Sequence, residues 1–551
     1  MTRAGSGDLQ PEVADIVESS PVLTSSLDVA GEVYRQNRSA QLEALEALEE
    51  QLELVRSGGG PRYAERHRGR GKLLVRERLE LLVDRDSPFL ELSSLAAWGT
   101  EFRVGASVVT GIGVISGVEC VVIGHDPTVR GGTINPYTLR KTLRALEIAR
   151  TNRLPVVNLV ESGGADLPTQ SEIFVFAGKI FHDLTELSAM GIPTIALVFG
   201  NSTAGGAYVP GMCDYSVLVD RQAKVFLGGP PLVKMATGED ADDEELGGAE
   251  MHSRVSGLSD YFATDELDCI RLGRQIVGEL RWRKLGPGPT RPPDEPCYDP
   301  DELLGVASAD FRVPIDPYEV LARVVDGSRF GEYKRLYGSS LVTGWASVHG
   351  YPVGILVNSR GILFSEEARK ATEFILLANQ RDTPLVFLQN TTGYMVGKAY
   401  EQGGIIKDGA KMINAVTNST VPHVTINIGA SFGAGNYGMS GRALDPRLLF
   451  AWVNAKLAVM GAQQLAGVLS IVGRQSADAA GREFDVAEDE ARRQAIEEQI
   501  ERESDAFFVS ARLYDDGVID PRDTRTVLGM ALSAAHSGAV AGSRAFGVFR
   551  M

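Results

Sequence analysis

Between Ser39 and Arg56, Leu42, Leu45, Leu48, Leu52 and Val55 recur at helical spacing, and the pattern stops at Gly58-Gly59-Gly60. The spacing predicts a helix that docks onto the rest of the chain through that apolar face. Beyond it the period changes. Short runs rich in β-branched residues predict buried strands over 118–124, 155–160 and 192–200, with a helical pattern over 137–152. Strands alternating with helices predict an α/β architecture with mainly parallel pairing.

The same pattern then returns. Pro155-Val-Val-Asn-Leu-Val resembles Pro384-Leu-Val-Phe-Leu-Gln, and Pro193 before one apolar run matches Pro422 before another. Arg140-Lys141 matches Arg369-Lys370, Gly132 matches Gly361, and Ser202 to Tyr208 overlays Ser431 to Tyr437, all at one offset of 229 residues. Ala223-Lys224 through Gly229 matches Ala455-Lys456 through Gly461 at 232, as a small loop insertion gives. Ordered blocks at one offset predict two copies of one domain, joined near the polar, Pro-rich stretch 286–300. The predicted division is a tail over 1–37, a first copy over 38–295 and a second over 296–551.

Length and charge narrow the function. With 551 residues, 44% of them hydrophobic, the chain has ample core and needs neither disulfides nor metals to fold. Fifty-five basic against 72 acidic side chains leave a net charge of −17, which disfavours nucleic acid and anionic lipid as partners. The four cysteines are dispersed, the N-terminus carries acids rather than an apolar leader, and no run approaches the length of a membrane span. A cytoplasmic protein is expected.

The candidate chemistry follows the two matching strands. One runs into Asn201-Ser-Thr-Ala-Gly205-Gly206-Ala-Tyr208, the other into Ala430-Ser-Phe-Gly-Ala434-Gly435-Asn-Tyr437. Small residues between a buried strand and a helix let a ligand approach backbone N–H groups, which suits a developing oxyanion. Such a turn in both copies predicts two oxyanion holes and two carbonyl-bearing reactants. A second matched pair, Glu161-Ser-Gly163-Gly164 and Asn390-Thr-Thr-Gly393, reads as cleft lining or as ordinary turns. Glu161 and Asp166 are candidate bases, but a carboxylate at a strand end is more often a helix cap or a loop anchor. Residues 61–78 hold Arg62, Arg66, Arg68, Arg70, Lys72, Arg76 and Arg78, a site for a polyphosphate ligand or a solvated face. Phosphate-loop, dinucleotide and nucleophile-elbow motifs are absent, and the seven histidines show no metal spacing. His125 and His423 read as local hydrogen-bonding residues. Two holes without an obvious base suggest that a cofactor supplies one.

The motifs Glu161-Ser-Gly-Gly-Ala, Ser202 to Pro210, Gly229-Pro-Pro-Leu-Val-Lys-Met-Ala-Thr-Gly238 and Phe432 to Met439 resemble the carboxyltransferase (β) subunit of biotin-dependent acyl-CoA carboxylases. The resemblance runs from about Ala40 to the C-terminus. Asn390 to Lys398, Gly403-Gly404 and Lys407 to Lys411 are similar to the methylcrotonyl-CoA and geranyl-CoA branch. It implies two tandem crotonase-like (ββα superhelix) domains after an N-terminal helical segment. The first copy is expected to bind acyl-CoA and the second carboxybiotin, in a homo-hexameric β core within an α6β6 holoenzyme. Gly205 and Gly206 would hold the thioester oxygen, and Ala434 and Gly435 the biotin ureido oxygen. Gly163, Gly164, Ala204, Ala177, Phe176, Lys72 and Arg76 would contact the acyl-CoA; Gly393, Tyr394, Val396, Phe432 and Gly433 would contact biotin. The cofactor then provides both the carboxyl group and the base, and no metal is required of this chain.

Gly205→Val and Gly435→Val are accordingly expected to abolish turnover without unfolding the assembly. The chain has no zinc-ribbon cysteines, no ATP-grasp domain and no Ala-Met-Lys-Met biotin site, so a separate biotin carboxylase/carrier α subunit is expected. The stretch Ser171 to Gly178 is about three residues shorter than in methylcrotonyl enzymes, which place a phenylalanine near where Ala177 falls. The expected substrate is 3-methylcrotonyl-CoA or a related branched or longer acyl-CoA. Rival readings are a biotin-dependent decarboxylase, a biotin-free crotonase-type hydratase or isomerase, and a non-catalytic scaffold.

Overall fold

The repeat is visible strand by strand in the computed structural model, which describes residues 19–308, 310 and 313–551. Residues 1–18 of the expected tail lie outside the described residues. Two eight-stranded sheets share one topology. In the first, Leu90–Leu92, Val108–Ile115 and Val118–His125 pair antiparallel. Val156–Ser162, Thr194–Thr203, Tyr215–Val219 and Tyr261–Ala263 then add in parallel. The second begins antiparallel with Gly331–Tyr333, Leu341–Val348 and Tyr351–Asn358. It continues in parallel through Leu385–Thr391, His423–Phe432, Leu448–Trp452 and Val518–Ile519. Short strands Lys224–Phe226 and Lys456–Ala458 join the long strands 194–203 and 423–432 beyond the main ladder. The predicted helix over 137–152 is Pro136–Asn152, and its counterpart is Ser365–Gln380.

Register repeats as faithfully as order. Ser162 pairs with Ser202 after a register shift, and Thr391 pairs with Ser431 after the same shift. Lys141 and Lys370, both buried, donate to Val108 O and Leu341 O at 2.8 Å in each case, tying matched helices to matched strand ends.

Apolar runs form these central strands because both faces are covered. Val121, Ile123, Val156 and Val160 face one core, while Cys120, Val122, Val157 and Leu159 face another. The first of these cores also takes Ile355, Val357, Val386 and Leu388 from the second copy, so the two copies share it. The opposite face of the second sheet has its own core around Leu385, Phe387 and Phe374.

The N-terminal helix is longer than predicted, Glu32–Arg56, so residue 38, the expected start of the first copy, lies inside it. It docks by the predicted face, with Leu48 buried against Leu95 and Val453. Its first turns lie on the start of the second copy. Asn37 Nδ2 donates to Gly305 O at 3.0 Å and Gln41 Nε2 to Ala307 O at 3.0 Å. Among the described residues, no helix is long and apolar enough to cross a membrane.

Candidate active site

Each long central strand ends in a left-handed residue and then a helix. Ala204 follows Thr203 with φ +54°, and Gly433 follows Phe432 with φ +55°. A non-glycine residue in that region costs about 1–2 kcal/mol, and such strain collects at functional turns. The kink starts the helical segments Ala204–Ala207 and Gly433–Gly438. The first N–H groups of a helix have no acceptor inside it. Ala204 and Gly205 are exposed in the first of these turns and Ala434 in the second, while Gly206 and Gly435 are buried.

The second pair of turns lies against the first. Gly164, φ +87°, has its missing Cβ 3.0 Å from Thr203 O and 3.8 Å from Ala204 Cβ. Gly393, φ +121°, sits over Phe432 O, and its Cα lies 3.0 Å from where a Cβ on Gly435 would stand. Matching hydroxyls pin both: Ser162 Oγ accepts from Gly164 N and Thr391 Oγ1 from Gly393 N, each at 3.2 Å. Each copy thus brings one glycine turn to the side of a turn that opens a helical segment.

The two glycines at these turns respond differently to a side chain. A Cβ on Gly205 meets Phe181 at 3.6 Å, an ordinary contact. A Cβ on Gly435 would stand 2.7 Å from Thr391 Oγ1, so something must shift. Gly205→Val therefore blocks approach alone, whereas Gly435→Val also disturbs the fold, and the expectation of a clean effect from the latter is corrected.

The charged candidates resolve into supports. Glu161 is buried, with Lys72 Nζ at 2.5 Å, Arg78 Nη1 at 2.7 Å and His67 Nε2 at 3.9 Å. Burial alone would raise its pKa, but Arg78 and Lys72 outweigh that and hold it below the usual carboxylate range. A carboxylate so held is a poor base; it braces the strand end, where Gly200 leaves it room. Asn390 fills the matching space beside Gly429 as a neutral amide. Asp166 is buried and accepts from Thr169 Oγ1 at 2.9 Å, so it anchors its loop. Burial depresses His125 to about 4 and His423 to about 3, which leaves both neutral. His423 hydrogen-bonds Ser440 and Ser419.

The basic run divides. Lys72 also donates to Phe199 O at 2.8 Å, and Arg76 forms a two-pronged pair with Glu91, both bonds 2.8 Å. Arg66 and Arg70 instead join Arg103 and Arg130 around a cavity of about 400 Å³ whose lining among the described residues includes no carboxylate. Its floor includes Gly131, whose carbonyl accepts from Gly163 N at 2.9 Å, so the cavity adjoins the first glycine turn. Arg103 and Arg130 escaped sequence reasoning because they come from separate loops with no spacing in common.

Around the first turn, Ala177 and Phe181 are half-buried on one helix, and Phe181 packs edge-on against Tyr208 at 5.6 Å. Phe176 is exposed. Around the second turn, Val396 is exposed and Phe432 buried. The Tyr394 hydroxyl turns inward to Met412 Sδ at 3.4 Å, which makes its ring a wall rather than a donor.

The carboxyl transferase domain family matches residues 66–549, which includes both turns and both sheets. The chain belongs to that family. It is 64% identical over 530 residues to a probable biotin-dependent acyl-coenzyme A carboxylase beta2 subunit of Mycobacterium tuberculosis, covering 96% of this chain and all of that one. It is 49% identical to the 3-methylcrotonyl-coenzyme A carboxylase beta1 subunit of the same organism, over 92% of this chain and 96% of the relative. The crystal structure of the geranyl-CoA carboxylase beta subunit of P. aeruginosa superposes with a TM-score of 0.87 at 44% identity, covering 96% of this chain and 99% of that one. The tandem crotonase-like architecture expected from the sequence is thus the fold of this carboxyltransferase.

Proposed function

We propose that the chain transfers a carboxyl group from carboxybiotin, carried by a separate biotin carboxylase/carrier α subunit, to an acyl-CoA. The observation that carries the reading is the doubled site: the same left-handed kink, an exposed residue at the start of the following helix and an adjoining glycine turn at matched points of two copies. In this reading the first copy, 38–295, takes the acyl-CoA and the second, 296–551, the biotin. Gly205 and Gly206 hold the thioester oxygen and stabilise the enolate formed next to it. Preorganised backbone donors of this kind contribute about 3 kcal/mol each to a transition state. Gly163, Gly164 and Ala204 leave the acyl group room, and Ala177 widens its end for 3-methylcrotonyl-CoA or a longer branched chain. The phosphates of CoA fall to Arg66, Arg70, Arg103 and Arg130, of which Arg130 is half-exposed and only 3.6 Å from Asp166, rather than to Lys72 and Arg76, which are held in close ion pairs.

The second turn fits a biotin head: exposed Ala434 and half-buried Gly433 follow Phe432, whose carbonyl faces Gly393, and Val396 is exposed three residues further on. When bound, carboxybiotin supplies the carboxyl group and the base that the protein lacks. Ala434 and Gly435 orient its ureido oxygen, and the walls from Tyr394 and Phe432 exclude water.

Assembly into a hexameric β core within an α6β6 holoenzyme is supported by uncovered apolar residues beside both clefts. Phe174, Val175 and Phe176 stand out from one helix, and Val468, Ile471 and Val472 from another. Four free thiols fit residence in the cytoplasm. The test is affinity purification of the tagged chain from its host with streptavidin detection, followed by an acyl-CoA panel. A stoichiometric biotinylated partner of α-subunit size and ATP-dependent carboxylation of a branched acyl-CoA are expected. Absence of any biotinylated partner overturns the reading.

A further inference from the structure

The two turns are backed by different chemistry. Behind the first, Val160, Val198 and Ala207 are buried apolar residues of the shared core. At the matching positions behind the second stand Gln389, Asn427 and Asn436, and these line a cavity of about 40 Å³ with Arg442, Tyr514 and Asp515. The residue preceding the shared anchor differs in the same sense. Asp260 accepts from Ser216 N in the first copy, and Asp516 accepts from Leu449 N at the matched point of the second. Before Asp260 comes Ser259; before Asp516 comes Asp515. The fold therefore needs the anchor in both copies, whereas the extra carboxylate belongs to the second copy alone.

A relay leads from this cavity to the turn. Asn436, the residue after Gly435, donates through Nδ2 to Ser431 Oγ at 2.7 Å. Ser431 Oγ donates to Gln389 Oε1 at 2.5 Å, and Gln389 Nε2 donates to Met439 O at 2.6 Å, across the far end of the short helix. Asn427 and Asp515 are both more than nine-tenths buried; among the described residues Asn427 Oδ1, Asp515 Oδ2 and Arg442 Nε make no direct hydrogen bond of good geometry, although the Ser510 hydroxyl also faces the Asp515 carboxylate. Asp515 Oδ1 is engaged by Gly517 N at 3.0 Å, which leaves Oδ2 to Ser510 and to the cavity. Buried polar atoms are satisfied by protein or by ordered water, and the cavity has room for about two or three waters.

We propose that Asp515 is a positioning residue for the second turn, acting through ordered water that it shares with Asn427 and Arg442 to hold Asn436 and, through it, the Ala434 and Gly435 donors. Burial, with Asp516 next to it, raises Asp515 to about 7, so the group is neutralised more cheaply than an ordinary carboxylate. The assignment to the biotin side rests on the function proposed above.

Two measurements test it. A crystal structure of the full chain is expected to place water on Asn427 Oδ1 and Asp515 Oδ2; a dry cavity overturns the proposal whatever the enzyme does. In reverse transfer by the holoenzyme, with a carboxylated acyl-CoA as donor, free biotin as acceptor and no ATP, Asp515→Leu is expected to raise the KM for biotin by about tenfold, the worth of one hydrogen bond, with the KM for the carboxylated acyl-CoA within about twofold. Asp515→Asn, which keeps the shape and an acceptor oxygen, is expected to recover most of that loss. If Asp515→Leu does not fold, Asn427→Val, which installs the first copy's residue, takes its place with the same expected split. An unchanged biotin KM, or equal changes in both constants, overturns the positioning role. Wild-type inactivity with every acyl-CoA would instead sink the proposed function and leave the water result standing.

Discussion

At the scale of single residues, the two turns make opposite predictions from equivalent-looking glycines. A Cβ on Gly205 makes only an ordinary contact with Phe181, so Gly205→Ala should leave thermal stability unchanged, and Gly205→Val should lower kcat/KM by about a hundredfold or more by blocking a donor. Gly435→Ala should lower stability by about 1–3 kcal/mol, because Thr391 Oγ1 must move and that hydroxyl holds Gly393 N. Equal stability losses in the two alanine variants, measured by thermal unfolding, would contradict the geometry. Ala204 offers the reverse change. It holds φ +54° where the second copy has Gly433, so Ala204→Gly should relieve strain and raise stability by up to about 1 kcal/mol. A fall in the unfolding midpoint would show that the methyl group is needed for packing.

At the scale of elements, the first sheet's strand end hangs on an ion cluster that the second lacks. Arg78 is fully buried, bonds Glu266 twice at 2.8 Å and Glu161 at 2.7 Å, and lies over the Phe199 ring. Removing one member of a buried cluster leaves uncompensated charge, so Arg78→Met should cost about 3–5 kcal/mol. The lowered pKa of Glu161 fixes the direction with pH. A depressed carboxylate stabilises the fold above its unfolded value of about 4.3, and that contribution fades as pH falls through the lower folded value. The melting-temperature gap between the wild type and Glu161→Gln should therefore be widest near neutrality and close as pH drops below about 4. A gap independent of pH would mean that Glu161 contributes shape rather than charge. This cluster also marks where sequence reading stops. The glycine turns were legible because backbone geometry demands small residues at fixed positions in both copies. The partners of Lys72, Arg76 and Arg78 were not, since an arginine-rich run looks the same whether it faces a phosphate or a buried glutamate 83 residues away. Arg103 and Arg130 were hidden for the same reason: the cavity is assembled by tertiary packing, and nothing in their local sequence announces it.

At the scale of the whole molecule, the doubling that the 229-residue offset reveals does not make two independent bodies. The offset predicted strand order and turn positions, because both follow from local pattern, but the interface between copies is set by alternate residues of strands that meet only in the fold. Val121, Ile123 and Val156 lie in one continuous core with Ile355, Val386 and Leu388. Arg144 of the first copy binds buried Asp516 of the second through two bonds, 2.8 and 3.0 Å, and Lys284 reaches Ser533 O at 2.7 Å. The N-terminal helix closes the arrangement by laying its first turns on the second copy. Cutting the chain near residue 295 would expose one face of each sheet and leave Asp516, held well below the usual range by Arg144 and Arg442, without one of its two arginine partners. Residues 296–551 expressed alone should therefore be aggregation-prone or lack fixed tertiary packing, and co-expression with 1–295 should restore a soluble complex. Calorimetry of the intact chain should give one cooperative transition spanning both copies. Two separable transitions, or a soluble second copy with dispersed side-chain NMR signals, would show that the shared core is an interface between domains rather than the common interior of a single folding unit.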